Sequence, residues 1–146
     1  MSDRVLLIGR SGCGKTSLIQ SIQEEALVHR KTQAAEYHLG FIDVPGEYLE
    51  ARSFYRALIM LTCEARAVAA LHAANDAGDI YPGGLVRVFN KPVIGVVTKI
   101  DIAGSDRSRA AGILRAAGAE HIYFTSAVSG EGIDDLRRCL DELRKR

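Results

Sequence analysis

Gly9-Arg10-Ser11-Gly12-Cys13-Gly14-Lys15-Thr16 follows the apolar run Val5-Leu6-Leu7-Ile8 and precedes a segment in which Leu18, Ile19 and Ile22 fall at helical spacing. The octapeptide satisfies G-x-x-x-x-G-K-T in the strand, loop and helix setting that gives the pattern its chemistry. Gly9, Gly12 and Gly14 let the backbone wrap closely, so that successive N–H groups and the positive end of the following helix face one polyphosphate. Lys15 is expected to reach the β- and γ-phosphates, and Thr16 to offer its hydroxyl to Mg²⁺. The nucleotide-contacting run therefore extends from Gly9 through Arg10, Ser11, Gly12, Cys13, Gly14, Lys15 and Thr16 to Ser17. The plainer reading is a glycine-rich turn that binds nothing, and the rest of the chain argues against it.

Outward from this loop, short apolar segments alternate with helical patterns. Unbroken apolar runs mark parallel strands buried on both faces, and their alternation with helices marks a three-layer α/β sheet. The spacing predicts strands near 4–8, 41–44, 67–73, 93–98 and 121–125, and helices near 15–25, 50–64, 106–117 and 131–145. In the last helix Ile133, Leu136, Leu140 and Leu143 form the apolar face, and the basic end at Arg144, Lys145 and Arg146 complements the helix dipole. Residues 75–90, with Tyr81-Pro82-Gly83-Gly84, read as a surface connection with at most a short helix.

Composition narrows the function classes. The 146 residues predict a single domain, 1–146, and 47% hydrophobic residues suffice for a core between two helical layers. A formal charge of +1 creates no global field that would favour nucleic acid or an anionic membrane, so neither partner is expected. Cys13, Cys63 and Cys139 are odd in number and lack metal-ligand spacing, which argues for free thiols in a reducing compartment. The chain enters its first strand almost at once, without a leader pattern, and its apolar stretches fall short of the roughly 20 residues of a membrane span. A cytoplasmic location is the expectation.

Three further elements lie at strand ends. Ile42-Asp43-Val44-Pro45-Gly46 ends a strand in D-x-x-G, where Asp43 is placed to hold Mg²⁺ and Gly46 to offer its N–H to a γ-phosphate. Val97-Thr98-Lys99-Ile100-Asp101 resembles the guanine-specificity motif [NT]-K-x-D, in which the carboxylate accepts from guanine N1–H and the exocyclic amine while the Lys stem packs over the base. Adenine presents an acceptor where guanine has a donor, so such an Asp discriminates against it. Thr125-Ser126-Ala127 matches the S-A-x turn whose backbone N–H meets the guanine oxygen.

In order and placement these elements resemble the small P-loop GTPases over nearly the whole chain. The resemblance implies a P-loop NTPase fold with a mostly parallel five- or six-stranded sheet, GTP or GDP as ligand, and a first switch within 27–40, where Thr32 is the candidate Mg²⁺ and γ-phosphate ligand. It also leaves space for a short hairpin strand near 34–38. A closer resemblance, to the ethanolamine- and propanediol-utilisation GTP-binding proteins (the EutP/PduV family), is carried by Lys31-Thr32-Gln33-Ala34, by Ile42 through Glu50, by Tyr55-Arg56-Ala57-Leu58-Ile59 and by Lys91 through Asp101. That resemblance implies a bacterial cytoplasmic protein acting with or near microcompartment shell proteins or pathway enzymes.

The chain departs from Ras-like members at Glu47, which stands where Gln orients the attacking water; it either acts in catalysis or pairs within the second switch. A carboxylate beside a γ-phosphate is repelled unless offset, so slow hydrolysis is expected, with room for an activating partner. The potassium-recruiting Asn of some GTPases is replaced by Gly12, and Arg30 is either a built-in arginine finger or a solvated side chain. Cys13 serves packing or, with Lys15 beside it, redox control. His72 reads as a satisfied, partly buried residue, and Tyr48, Phe54 and Tyr55 as core or partner surface. The expected activity is slow GTP hydrolysis with Lys15, Thr32, Gly46 and Glu47 as catalytic candidates and Thr16, Thr32 and Asp43 on the metal. The alternatives are a small-carboxylate kinase and a nucleotide-binding adaptor without useful turnover.

Overall fold

The computed structural model describes residues 3–29, 40–78, 81 and 86–145. Strands β1 (Val5–Ile8), β2 (Phe41–Asp43), β3 (Ala67–Ala73), β4 (Val93–Thr98) and β5 (His121–Phe124) form one sheet in the order β2-β1-β3-β4-β5. Every pairing is parallel. The helices are α1 (Lys15–His29), α2 (Glu47–Glu50), α3 (Tyr55–Thr62), α4 (Arg107–Ala117) and α5 (Ile133–Lys145). The pleat separates two layers: Val5 and Leu7 pack in one core with Leu18 and Ile22 of α1 and with Ile133, Leu136, Leu140 and Leu143 of α5. Leu6 and Ile8 point the other way, into a core with Leu49, Leu58, Ala110 and Leu114 from α2, α3 and α4.

Alanines at 67, 69, 70 and 73 make the central strand β3 thin, so both layers approach it closely. Asp106 caps α4 by accepting from the Arg109 N–H at 2.9 Å, and Gly118, in the left-handed region, ends it. Strand order reverses at β1, which has β2 on one side and β3 on the other; a crevice outside the carboxyl ends of the strands is the usual ligand position in such sheets. The expected strand near 34–38 lies outside the described residues. Among the described residues no helix is long and apolar enough to cross a membrane.

Two expectations need correction. The helix expected over 50–64 is broken: Ala51 is extended (φ −124°, ψ 127°), a 3-10 turn spans Arg52–Phe54, and α3 begins only at Tyr55. Tyr48 and Phe54 stack across the break with ring centroids 4.8 Å apart, a contact a continuous helix would not form at that spacing. The connection over 75–90 carries the short helix expected, a 3-10 turn at Val86–Phe89, but it is more than surface. Tyr81, Val86 and Phe89 are buried in the core beside α3 and α4, because this crossover fills sheet area left uncovered by a full helix among its described residues.

Candidate functional site

The loop after β1 turns on Gly12 (φ 82°) and Gly14 (φ 97°), a conformation that L side chains adopt only under strain. Its closing hydrogen bond runs from the Cys13 N–H to the Arg10 carbonyl at 3.1 Å. Lys15 opens α1, is 8% exposed, and donates from Nζ to the Gly9 carbonyl at 3.2 Å, so a buried ammonium lies across the loop. Beneath it, the Tyr81 hydroxyl reaches the carbonyls of Leu71 (2.6 Å) and Ile8 (3.4 Å), joining the carboxyl ends of β3 and β1. Tyr81 belongs to the stretch read as surface; a single polar atom that finds two strand carbonyls leaves no pattern in the sequence.

β2 pairs with β1 so that Asp43 sits opposite Leu7, and its exposed carboxylate accepts from the Thr16 hydroxyl at 3.4 Å. Three residues on, Gly46 lies directly against the phosphate loop: a Cβ there would overlap the Ser11 backbone nitrogen. Glycine is required by this close approach. Glu47 opens α2 and is exposed, and its side chain makes no hydrogen bond or ion pair among the described residues. One turn later Glu50 returns to the loop, with Oε2 accepting from the Ser11 hydroxyl at 3.3 Å and Oε1 3.9 Å from Arg10 Nε. Arg10 Nη1 bonds both carboxylate oxygens of Asp76 at 3.1 Å.

The end of β4 is tied to the same loop from the other side. Thr98, buried, donates from its hydroxyl to the Cys13 carbonyl at 2.6 Å. Lys99, in the left-handed region, donates from Nζ to the Gly12 carbonyl at 2.6 Å. Asp101 accepts from the Ser126 hydroxyl at 2.8 Å, and Ser126 Oγ in turn accepts from the Ser129 N–H at 3.0 Å. Ser126 is fully buried, so this relay fixes the Asp101 carboxylate at a pocket of about 100 Å³. Gly14, Ser17, Leu18, Thr98, Lys99, Asp101, Thr125, Ala127 and Val128 line it.

The structure thus brings together the residues of all four motifs along the carboxyl edge of the sheet. Thr32 and Arg30 lie outside the described residues. Leu18 and Val128 on the pocket wall, Ser129 behind Ser126, and the Arg10–Glu50–Asp76 group were missed; Val128 and Ser129 continue the S-A-x turn and were the legible ones. Burial pushes the Cys13 thiol above its ordinary value of 9.0, against the opposing pull of Lys15 and Lys99. A buried, protonated thiol is a packing residue, which favours that reading over redox control. His72 is more enclosed than expected, 1% exposed, and is satisfied by the Asp76 carbonyl at 2.9 Å.

Comparison with known proteins accounts for nearly the whole chain. The family model described as "Ethanolamine utilisation - propanediol utilisation" (PduV-EutP) matches residues 2–142. The chain belongs to the PduV-EutP family. The "Propanediol utilization protein PduV" of Citrobacter freundii is 44% identical over 134 residues, 91% of this chain and 89% of that protein. The "Probable acetate kinase EutP" of Escherichia coli (strain K12) is 34% identical over 123 residues, 83% of this chain and 77% of that protein. Its namesake in Salmonella typhimurium is 32% identical over 142 residues, covering 96% of this chain and 88% of the relative. This PduV-EutP member is therefore tied by family to propanediol and ethanolamine utilisation, and its sheet is consistent with a P-loop NTPase.

Proposed function

We propose that this PduV-EutP protein binds guanine nucleotide with Mg²⁺ and hydrolyses GTP slowly, as a switch serving ethanolamine or propanediol utilisation. The observation that carries the reading is the relay from Ser129 through Ser126 to Asp101, which presents a fixed carboxylate to a pocket whose other wall is phosphate loop. A carboxylate so held accepts two adjacent N–H donors, as guanine offers and adenine does not.

The chain's own groups fit a magnesium nucleotide. The loop glycines leave a cradle, the buried Lys15 ammonium crosses it, and the Thr16 hydroxyl and Asp43 carboxylate form an oxygen donor pair at its rim. Thr16 and Asp43 would hold the ion, which would supply positive charge to phosphate oxygens as charge develops during transfer. Lys15 supplies fixed positive charge to the same oxygens, and Gly46 brings its N–H to the loop's edge, where the terminal phosphate is expected. Thr32 is proposed as the further metal ligand. The Glu47 carboxylate, exposed and without a hydrogen bond among the described residues, is not held where it would orient a water, which agrees with slow intrinsic turnover and with a need for an activating partner.

A second reading is favoured by the relatives themselves, two of which are named probable acetate kinases. In it the same loop passes the terminal phosphoryl group to a short carboxylate. A third, an adaptor that holds nucleotide without useful turnover, follows if Glu47 remains solvated. In each, we place the protein in the bacterial cytoplasm, near microcompartment shell proteins or pathway enzymes as partners. Mg²⁺-dependent turnover of GTP and ATP, with and without acetate or propionate, separates these readings when free phosphate and acyl phosphate are followed independently. GTP-selective phosphate release that ignores the acids is the expected result; acid-dependent acyl phosphate establishes the kinase, and tight binding without either product establishes the adaptor.

A further inference from the structure

We propose that Glu50 sets the balance between guanosine diphosphate and triphosphate, by holding a negative charge against the part of the loop where a third phosphate enters. The inference rests on the guanine-nucleotide reading above and adds to it a role for Glu50, to which the motifs assign none. The acid next to the D-x-x-G turn, Glu47, is exposed, and its carboxylate makes no hydrogen bond or ion pair among the described residues. Glu50 is the acid that comes back to the loop, 3.3 Å from the Ser11 hydroxyl.

Two features keep its charge in place and unbalanced. Gly46 abuts Ser11 with no space for even a methyl group, so the turn that starts α2 is seated on the loop and carries Glu50 with it. Arg10, whose Nε lies 3.9 Å from Glu50, is also engaged by both oxygens of Asp76 at 3.1 Å. Within this group one guanidinium faces two carboxylates, a formal sum of about −1 beside Ser11 where Gly46 seats, while the Lys15 ammonium is held elsewhere on the loop by the Gly9 carbonyl. A diphosphate ends before this edge. A triphosphate places its most highly charged group there, and like charges at a partly exposed edge repel with a strength that salt reduces.

Calorimetric titration of GDP and of a non-hydrolysable guanosine triphosphate analogue tests the proposal in the wild type, Glu50→Gln and Glu50→Ala. Glu50→Gln keeps an acceptor for the Ser11 hydroxyl and removes only the charge; Glu50→Ala removes both. Glu120→Gln, before β5 at the opposite edge of the sheet, controls for net charge. Both Glu50 variants are expected to shift the Kd ratio toward the triphosphate by about tenfold, with GDP affinity and the control's ratio unchanged and with the wild-type preference weakening as salt rises. GDP binding with the ratio unmoved in both Glu50 variants overturns this inference and leaves the guanine reading intact. Absence of GDP binding in the wild type overturns both.

Discussion

The two sides of the phosphate loop are built differently. On the β4 side, Thr98 and Lys99 grip loop carbonyls at 2.6 Å and Ser126 holds Asp101 at 2.8 Å, with Thr98 and Ser126 buried. On the β2 side, contacts are longer and more exposed: Thr16 to Asp43 at 3.4 Å, Ser11 to Glu50 at 3.3 Å, Arg10 to Glu50 at 3.9 Å. Short buried hydrogen bonds are costly to leave unmade, whereas exposed ones exchange readily with water. The first side is a pocket wall tied by short bonds; the second is seated on the loop through Gly46, while its side-chain hydrogen bonds are long and solvent-exposed.

The largest effect should come from the group between the two sides. Lys15→Ala is expected to lower nucleotide affinity or turnover by at least about 100-fold, since it deletes a buried charge from the cradle; a normal affinity and rate would remove the assignment. Asp101→Asn breaks the β4 side, and should weaken GTP about 100-fold while improving xanthine nucleotides, measured by competition. Thr98→Val keeps the volume but leaves the buried Cys13 carbonyl without its donor, and should reduce unfolding free energy by about 1–3 kcal/mol in urea titrations. By contrast Asp43→Asn, on the β2 side, should leave stability within about 0.5 kcal/mol and raise the Mg²⁺ concentration needed for turnover.

Much of this contrast was legible in sequence. The phosphate loop, the D-x-x-G turn, Thr98-Lys99-Ile100-Asp101 and Ser126-Ala127 are local patterns, each needing only neighbouring residues to be recognised. The buried runs at Val5–Ile8 and Val93–Thr98 identified the sheet for the same reason. What escaped depends on contacts between distant positions. Arg10 meets Asp76 66 residues away, Tyr81 finds its carbonyls across two strands, and Glu50 reaches Ser11 only because Gly46 seats α2 on the loop. The helix break at Ala51 was hidden by good helix formers on either side and is held by a ring stack that no periodicity encodes.

The smallest expected effect concerns Cys13. Its pKa is raised in the fold, so the folded chain keeps the proton above pH 9 where the unfolded chain loses it, and stability contributed by this thiol declines as pH rises through that range. Alkylation of native protein at pH 8 should therefore modify exposed Cys63 well before Cys13, as peptide mapping would show. Rapid labelling at Cys13 would mean that the β4 side opens as readily as the other.

The central claim is that the wall built by Asp101, Ser126 and Lys99 reads guanine. Calorimetric titration of wild-type protein with Mg²⁺-GDP and with Mg²⁺-ADP tests it most directly. The proposed reading predicts GDP binding at least about 100-fold tighter than ADP; equal affinities, or binding of neither, would contradict it.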